Sequence, residues 1–533
     1  MTGSGTALDP FIIWDVNDLQ DMDLDLTAYY ELGSNIDCSG IANFQPVGGW
    51  GGVAAFTGSF DGKGYIISNL TINRPADDYI GLFGETDGTP IRDVTIEATI
   101  TGDDNVGTLV GQSNGGTFTH ITIITTIVGD NDVGGMIGDT NNLEIITNCV
   151  SSGSVASHND SAGGLIGESN FLGSLVDCHS SCSVSGAREI GGLIGADYSA
   201  AVPGGSLLLR CYATGNVTAA GDYIGGLIGD AYGTRLTQCF ATGNVSTSTV
   251  TANVGGLVGD NNNTAVPYTD CYATGNVTAT DVGGGHDIGG LVGDNSTSLV
   301  NCYSTGLVTA AGVGNWDGGL VGDQDNANGA SASNCFWDTQ TSGEANAVGA
   351  GLATGITGLT SAEMVYGKAF AVAGWVQTIW RLNDGYYPCL IGVSPSCAYS
   401  PIPYPPWPPL PPTPPPPIIV TAIVGTLPAT NIAENHATLN GVLTNSLAKY
   451  GEVRFQYGTT SAYGMNTPWQ DGFFTGDDFY ANIVNVGEGS VYHFRAQFRG
   501  SPIVSGSDMT FSTLSSLGPV TMVSEELMQI LEA

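Results

Sequence analysis

The stretch "DYIGGLIGDAYGTRLTQCFATGNVS" at 222–246 returns, with small insertions, as "NVGGLVGDNNNTAVPYTDCYATGNVT" at 253–278 and "DIGGLVGDNSTSLVNCYSTGLVT" at 287–309. Its glycine block starts at 81, 108, 135, 164, 192, 226, 256, 290 and 319, at spacings of 27, 27, 29, 28, 34, 30, 34 and 29 residues. A lone cysteine keeps step with it from Cys149 through Cys178, Cys211, Cys239, Cys271 and Cys302 to Cys335. A unit of this length is too small to bury an apolar face alone, whereas stacked copies form one continuous core. Each unit holds short runs rich in Val, Ile, Thr and Tyr, separated by Gly, Asn or Asp corners. The expected fold is therefore all-β: a parallel β-solenoid with one coil per repeat and strands about 4.8 Å apart. Parallel crossovers favour a right-handed coil.

Composition narrows the function. Acidic residues outnumber Lys and Arg by 50 to 12, for a net charge of −38. Such a chain cannot assemble the basic stripe that nucleic acid requires, and an anionic membrane surface is disfavoured for the same reason. No apolar run reaches the ~18–20 residues of a membrane span, and "MTGSGTALDP" shows no signal peptide. A mature secreted protein that has lost its leader and a virion protein both fit that start. The 79 glycines lack the three-residue period of collagen.

The Gly-Leu-x-Gly block resembles the repeat of GLUG-motif proteins, which are common in bacterial surface adhesins. "FTGSFDGKGYIISNLTI" at 56–72 looks like the usual lead-in to such an array, and "WRLNDGYYPCLIG" at 380–392 like its usual end. The resemblance spans roughly residues 3–392 and implies a scaffold, with no activity attached. We read 1–78 as an N-terminal cap with the first coils, 79–350 as the repeat solenoid and 351–400 as its closing segment. Residues 401–417, "PIPYPPWPPLPPTPPPP", hold 12 of the 24 prolines and read as a polyproline linker. Residues 418–514 alternate as the strands of a β-sandwich do. "FQYGTT" and "YHFRAQ" in them resemble fibronectin type III-like modules of surface proteins. In the tail, 515–533, Val523, Leu527, Ile530 and Leu531 share one helical face.

Alternation assigns faces within a coil. In "RLTQCFATG", Thr237, Cys239 and Ala241 are expected inside, and Leu236, Gln238 and Phe240 outside. The cysteines then form an inward ladder of structural thiols. Cys389 and Cys397, outside the repeat, are the candidate disulfide. Tyr212, Phe240, Tyr272, Tyr303 and Phe336, with His179 in register, form an outward aromatic stripe. A long loop covering it, a neighbouring subunit and stacked sugar rings are its three candidate partners. Glu85, Asp139, Glu168, Asp230, Asp260, Asp294 and Asp323 follow the glycine blocks as an acidic ladder that calcium could bridge; no cofactor is otherwise implied. Asn-x-Ser/Thr sequons stand at Asn69, Asn159, Asn216, Asn244, Asn276 and Asn295.

The acidic residues are periodic, and no His-Glu-x-x-His or phosphate-loop motif occurs. The expected function is non-enzymatic: a self-assembling subunit of an extracellular fibre or surface appendage, its partners copies of itself. A monomeric adhesin or virion fibre binding glycans is the alternative, and a carbohydrate-active β-helix enzyme a third.

Overall fold

The computed structural model of the protein describes residues 1–199, 205–248, 253–262, 267–280, 286–311, 316–327, 329–394, 423–445, 451–473, 478–499 and 503–515. The chain divides into two units, Met1–Ser400 and Pro401–Ala533. The polyproline run at 401–417 and the helical face at 523–531 lie outside the described residues.

The first unit is a parallel β-solenoid. One coil shows how the sequence produces it. Its strands are Ile224–Gly225, Ile228–Ala231, Thr234–Thr237, Phe240–Ala241 and Val245–Thr247. Each pairs in parallel with its counterparts in the coils before and after. On one wall the register runs unbroken through Phe11, Tyr30, Phe60, Ile91, Phe118, Ile146, Leu175, Leu208, Leu236, Tyr268, Leu299 and Ala332. These side chains point into the column; those from Tyr30 to Leu299 are fully buried, and the two end members pack against them.

Two devices bend each coil. The first is a left-handed corner, repeated at Asp93, His120, Asn148, Asp177, Arg210, Gln238, Asp270, Asn301 and Asn334 with φ between 53° and 56°. Asn and Asp dominate these positions because their short polar side chains tolerate that region best. The corner corrects the expected faces. It absorbs one residue, so pleat alternation does not continue across Gln238: Leu236 is inside, Thr237 is half-exposed, and Cys239 is inside again. Tyr268 and Leu299, the counterparts of Leu236, are likewise interior. The second device is the glycine block, where the backbone folds so tightly that no Cβ fits. A Cβ on Gly225 would lie 1.8 Å from the Ile228 carbonyl oxygen, and one on Gly226 2.1 Å from the Gly256 oxygen of the next coil.

At the start of the chain, an antiparallel bridge between Thr2 and Ile12 covers the first strand, Phe11–Ile13. The short helix Val16–Gln20 buries Val16 and Leu19, and Asp15 caps it by accepting from the Asn17 and Asp18 N–H groups. After the last coils come the helices Ser361–Met364 and Gly367–Val372, then an antiparallel pair, Trp380–Arg381 with Cys389–Leu390. Thr360 and Glu363 form a reciprocal capping box on the first of these helices.

The second unit is antiparallel. Ile423–Thr430, His436–Asn445 and Asp478–Val484 make one sheet. Gly451–Gly458 and Val491–Phe498 form the centre of the other. Tyr492, Phe494 and Ala496 alternate inward to join Leu439, Phe455 and Phe479 in one shared core, as facing sheets do.

Candidate functional site

The aromatic stripe exists, and it is stacked. Ring centroids of His179, Tyr212, Phe240, Tyr272 and Tyr303 lie 4.4, 4.6, 4.8 and 5.0 Å apart in succession, with interplanar angles of 9° or less. Parallel strand register imposes this, since the same position recurs on each rung. Phe336 follows Tyr303 in register. As an open contact surface, however, the stripe fails. Phe240, Tyr272, Tyr303 and Phe336 are only 1, 3, 1 and 6 % exposed, because Met364, Phe370, Trp375, Trp380, Leu382 and Leu390 pack over them. The Tyr272 hydroxyl shares a hydrogen bond with Ser394 Oγ at 2.8 Å, and the Tyr303 hydroxyl donates to the Pro388 carbonyl at 2.5 Å. Trp380 Nε1 donates to Asp270 Oδ1 and Trp375 Nε1 to the Asn334 carbonyl, each at 2.9 Å. Of the five proposed contact rings, Tyr212 alone stays half-exposed, with His179 beside it. The stripe is thus a seam between the solenoid and its own closing segment. The aromatic run from Trp375 to Tyr387 was the sequence signal for that cover.

The cysteine ladder points inward as expected. Cys149, Cys178, Cys211, Cys239, Cys271, Cys302 and Cys335 are all free and fully buried. Their thiols bond to backbone carbonyls, often in the preceding coil: Cys211 Sγ donates to the Leu175 oxygen at 3.3 Å and Cys239 Sγ to the Leu208 oxygen at 3.5 Å. Burial pushes the Cys178, Cys211 and Cys271 thiols well up from their ordinary range, and Cys38 to about 12. The thiolate is the reactive form. With all seven ladder sulfurs fully buried, they should resist a thiol reagent such as Ellman's until the protein unfolds; rapid labelling of the native protein would contradict the inward ladder. Cys389 takes part in a disulfide; Cys397, its expected partner, lies outside the described residues.

The corner at Thr-Gly-Asn-Val forms an asparagine ladder. Asn216 Oδ1 accepts from the Asn244 N–H, Asn244 Oδ1 from the Asn276 N–H, and Asn276 Oδ1 from the Leu307 N–H, at 2.9 to 3.0 Å. These sequon asparagines are exposed, and their side-chain oxygens tie successive coils together.

The acidic ladder is also real. Asp230, Asp260, Asp294 and Asp323 are consecutive register partners. Earlier in the array Gln112 separates Glu85 from Asp139, and Ala196 separates Glu168 from Asp230. On the neighbouring wall Asn253 and Asp287 face the same seam; Asn253 Nδ2 donates to Asp260 Oδ2 at 2.8 Å. Burial first, then the neighbouring carboxylates, push Asp230 and Asp294 up to about 8 and Asp287 to about 7. Among the described residues no three His, Cys, Asp or Glu side chains already converge as a metal cage.

Elsewhere, Lys63, Asp93 and His120 line a shallow depression. Lys63 is paired with Glu31 and Asp61, each at 2.9 Å, and His120 with Asp93 at 3.2 Å. No helix among the described residues is long and apolar enough to cross a membrane.

Fold and ladders together define a parallel β-solenoid with aromatic, thiol, asparagine and acidic columns along its axis. No protein-family model matches the chain. A segment of 115 residues, 20 % of the chain, is 38 % identical to halomucin of Haloquadratum walsbyi, and it spans 1 % of that protein's length. Among solved structures, the sensor domain of the anti-sigma factor RsgI4 from Pseudobacteroides cellulosolvens is similar in part. Its shorter form is 20 % identical, with 18 % of this chain and 98 % of that one covered and a TM-score of 0.17. The longer form is 19 % identical over 20 % of this chain and all of its own, again with a TM-score of 0.17.

Proposed function

We propose that the protein is a non-enzymatic structural component of a cell surface or the extracellular space, in which the solenoid is a stiff spacer. The observation that carries this reading is the unbroken inner register from Phe11 to Ala332. Each coil is held to its neighbours by several short strands, so bending the column would break many hydrogen bonds at once. Twelve rungs at about 4.8 Å extend roughly 50 Å. The likeness to halomucin supports the surface setting. In this proposal the coils are GLUG-type repeats and the second unit is a fibronectin type III-like module. The glycine block supports the first of these readings, because its three glycines answer to one backbone geometry.

The covered aromatic seam favours a single displayed rod over a fibre subunit. The surface on which copies or glycans were expected to meet is occupied by residues 364–394 of the same chain, and the first strand is bridged by Thr2. The purified chain should therefore sediment as a monomer and show isolated particles, without filaments, by negative-stain electron microscopy. Filaments growing with concentration would sink the single-rod reading, and release of products from a polysaccharide panel would sink the non-enzymatic one.

A further inference from the structure

The acidic seam holds more carboxyl oxygens than the fold puts to use. Asp230, Asp260 and Asp287 are 7, 3 and 9 % exposed, yet among the described residues each has a buried Oδ1 with no hydrogen-bond partner, as does Asp294. Among the described residues no Lys or Arg pairs with any of them. Asp294 has Asp260, Asp287, Asp323 and Asp325 as its charged neighbours, all acidic. A purely structural corner does not account for this. An Asp that only caps a turn spends its oxygens on backbone N–H groups, and an orphaned buried carboxylate oxygen is costly.

We propose that this seam binds calcium, each ion bridging carboxylates of successive coils. The spacing selects the ion. Rungs about 4.8 Å apart place register-matched oxygens at that separation, which an ion with bonds of about 2.3–2.6 Å spans. Magnesium, with bonds of about 2.0–2.1 Å and a demand for octahedral geometry, is too small for the same gap. The Asn253 side chain and Asp287 on the facing wall offer further oxygens. Because no three acids converge as a cage among the described residues, water and backbone carbonyls complete the shell. The affinity then belongs with extracellular calcium modules, about 10⁻⁴–10⁻³ M.

The test uses the full chain. Tyr223 lies beside Asp230 and Asp260, so terbium bound in the seam should luminesce on tyrosine excitation. Millimolar calcium should displace it, while sodium and magnesium at matched ionic strength should not. Calcium should also raise the melting temperature by several degrees more than those salts do. The double variant Asp260→Asn, Asp294→Asn should lose that increment and weaken terbium binding about tenfold or more, whereas Glu97→Gln, an exposed acid away from the seam, should lose neither. Equal stabilisation by calcium and sodium would reduce the effect to charge screening and overturn the proposal. So would a double variant that keeps the calcium increment. Should that variant fail to fold, the wild-type titration decides alone, and terbium luminescence that is absent or indifferent to calcium rejects the site.

Discussion

Gly225→Ala is expected to destabilise the solenoid by more than the ~1–3 kcal/mol of ordinary overpacking, reaching the ~4–5 kcal/mol seen only for severe defects. The added methyl would sit 1.8 Å from the Ile228 carbonyl oxygen, 2.7 Å from its carbon and 2.9 Å from the Gly259 nitrogen. None of these atoms is a side chain that can swing away. The first two belong to the fold of the block itself, and the third to the next coil. Relief would need a shift of backbone in two rungs. The same oxygen contact recurs at 1.8 Å for Gly163, Gly191, Gly255, Gly289 and Gly318, so the effect should be similar wherever the substitution is made. Gly40→Ala is the contrast. Its nearest new neighbour is Val16 Cγ1 at 3.6 Å and its φ is ordinary, so its effect should stay within about 0.5 kcal/mol. Urea melts of both variants, followed by tryptophan fluorescence, measure the difference. A Gly225→Ala protein that melts within 1 kcal/mol of wild type would mean the glycine block is not held as described.

What the sequence made legible and what it hid have separate causes. The period, the parallel stacking, the inward thiols at Cys178 to Cys335 and the acidic register follow from one rule: in a solenoid, the same position in each repeat falls on the same column. That rule needs no knowledge of how the chain bends. The faces of Leu236 and Thr237 do need it. They were inverted because alternation holds only while the backbone stays extended, and Gln238 at φ 56° interrupts it. The tell was present in the polar residue before every ladder cysteine: Asn148, Asp177, Arg210, Gln238, Asp270, Asn301 and Asn334. The fate of the aromatic stripe was hidden for a different reason. Its outward direction was readable from the repeat, but its cover comes from residues 364–394, which carry no period and so no register to place them. The orphaned oxygens of Asp230 and Asp260 were equally out of reach, since they depend on which donors the facing wall supplies.

That cover makes the second large prediction. Tyr303→Ala should cost about 3–5 kcal/mol, the usual result of emptying a large aromatic site. The ring stacks on Tyr272 at 5.0 Å and lies 6.0 Å from both Trp375 and Trp380. Its hydroxyl also satisfies the Pro388 carbonyl, and leaving that group unpaired adds a penalty of about 1–3 kcal/mol. The side chain belongs to the outer cluster, whereas Leu299 and Cys302 in the same coil belong to the inner one. Damage should therefore be local: the column persists while the closing segment loosens, as expected where neighbouring elements contribute nearly independent terms. Lys368 and Arg381 both lie in that segment, so trypsin should cut the variant there early while circular dichroism still reports the β column. Tyr212→Ala, at the half-exposed end of the same stack, should show a much smaller loss and no early cleavage. Were the stripe instead a joint between copies, Tyr303→Ala would lower the assembled mass and leave the tryptic pattern unchanged.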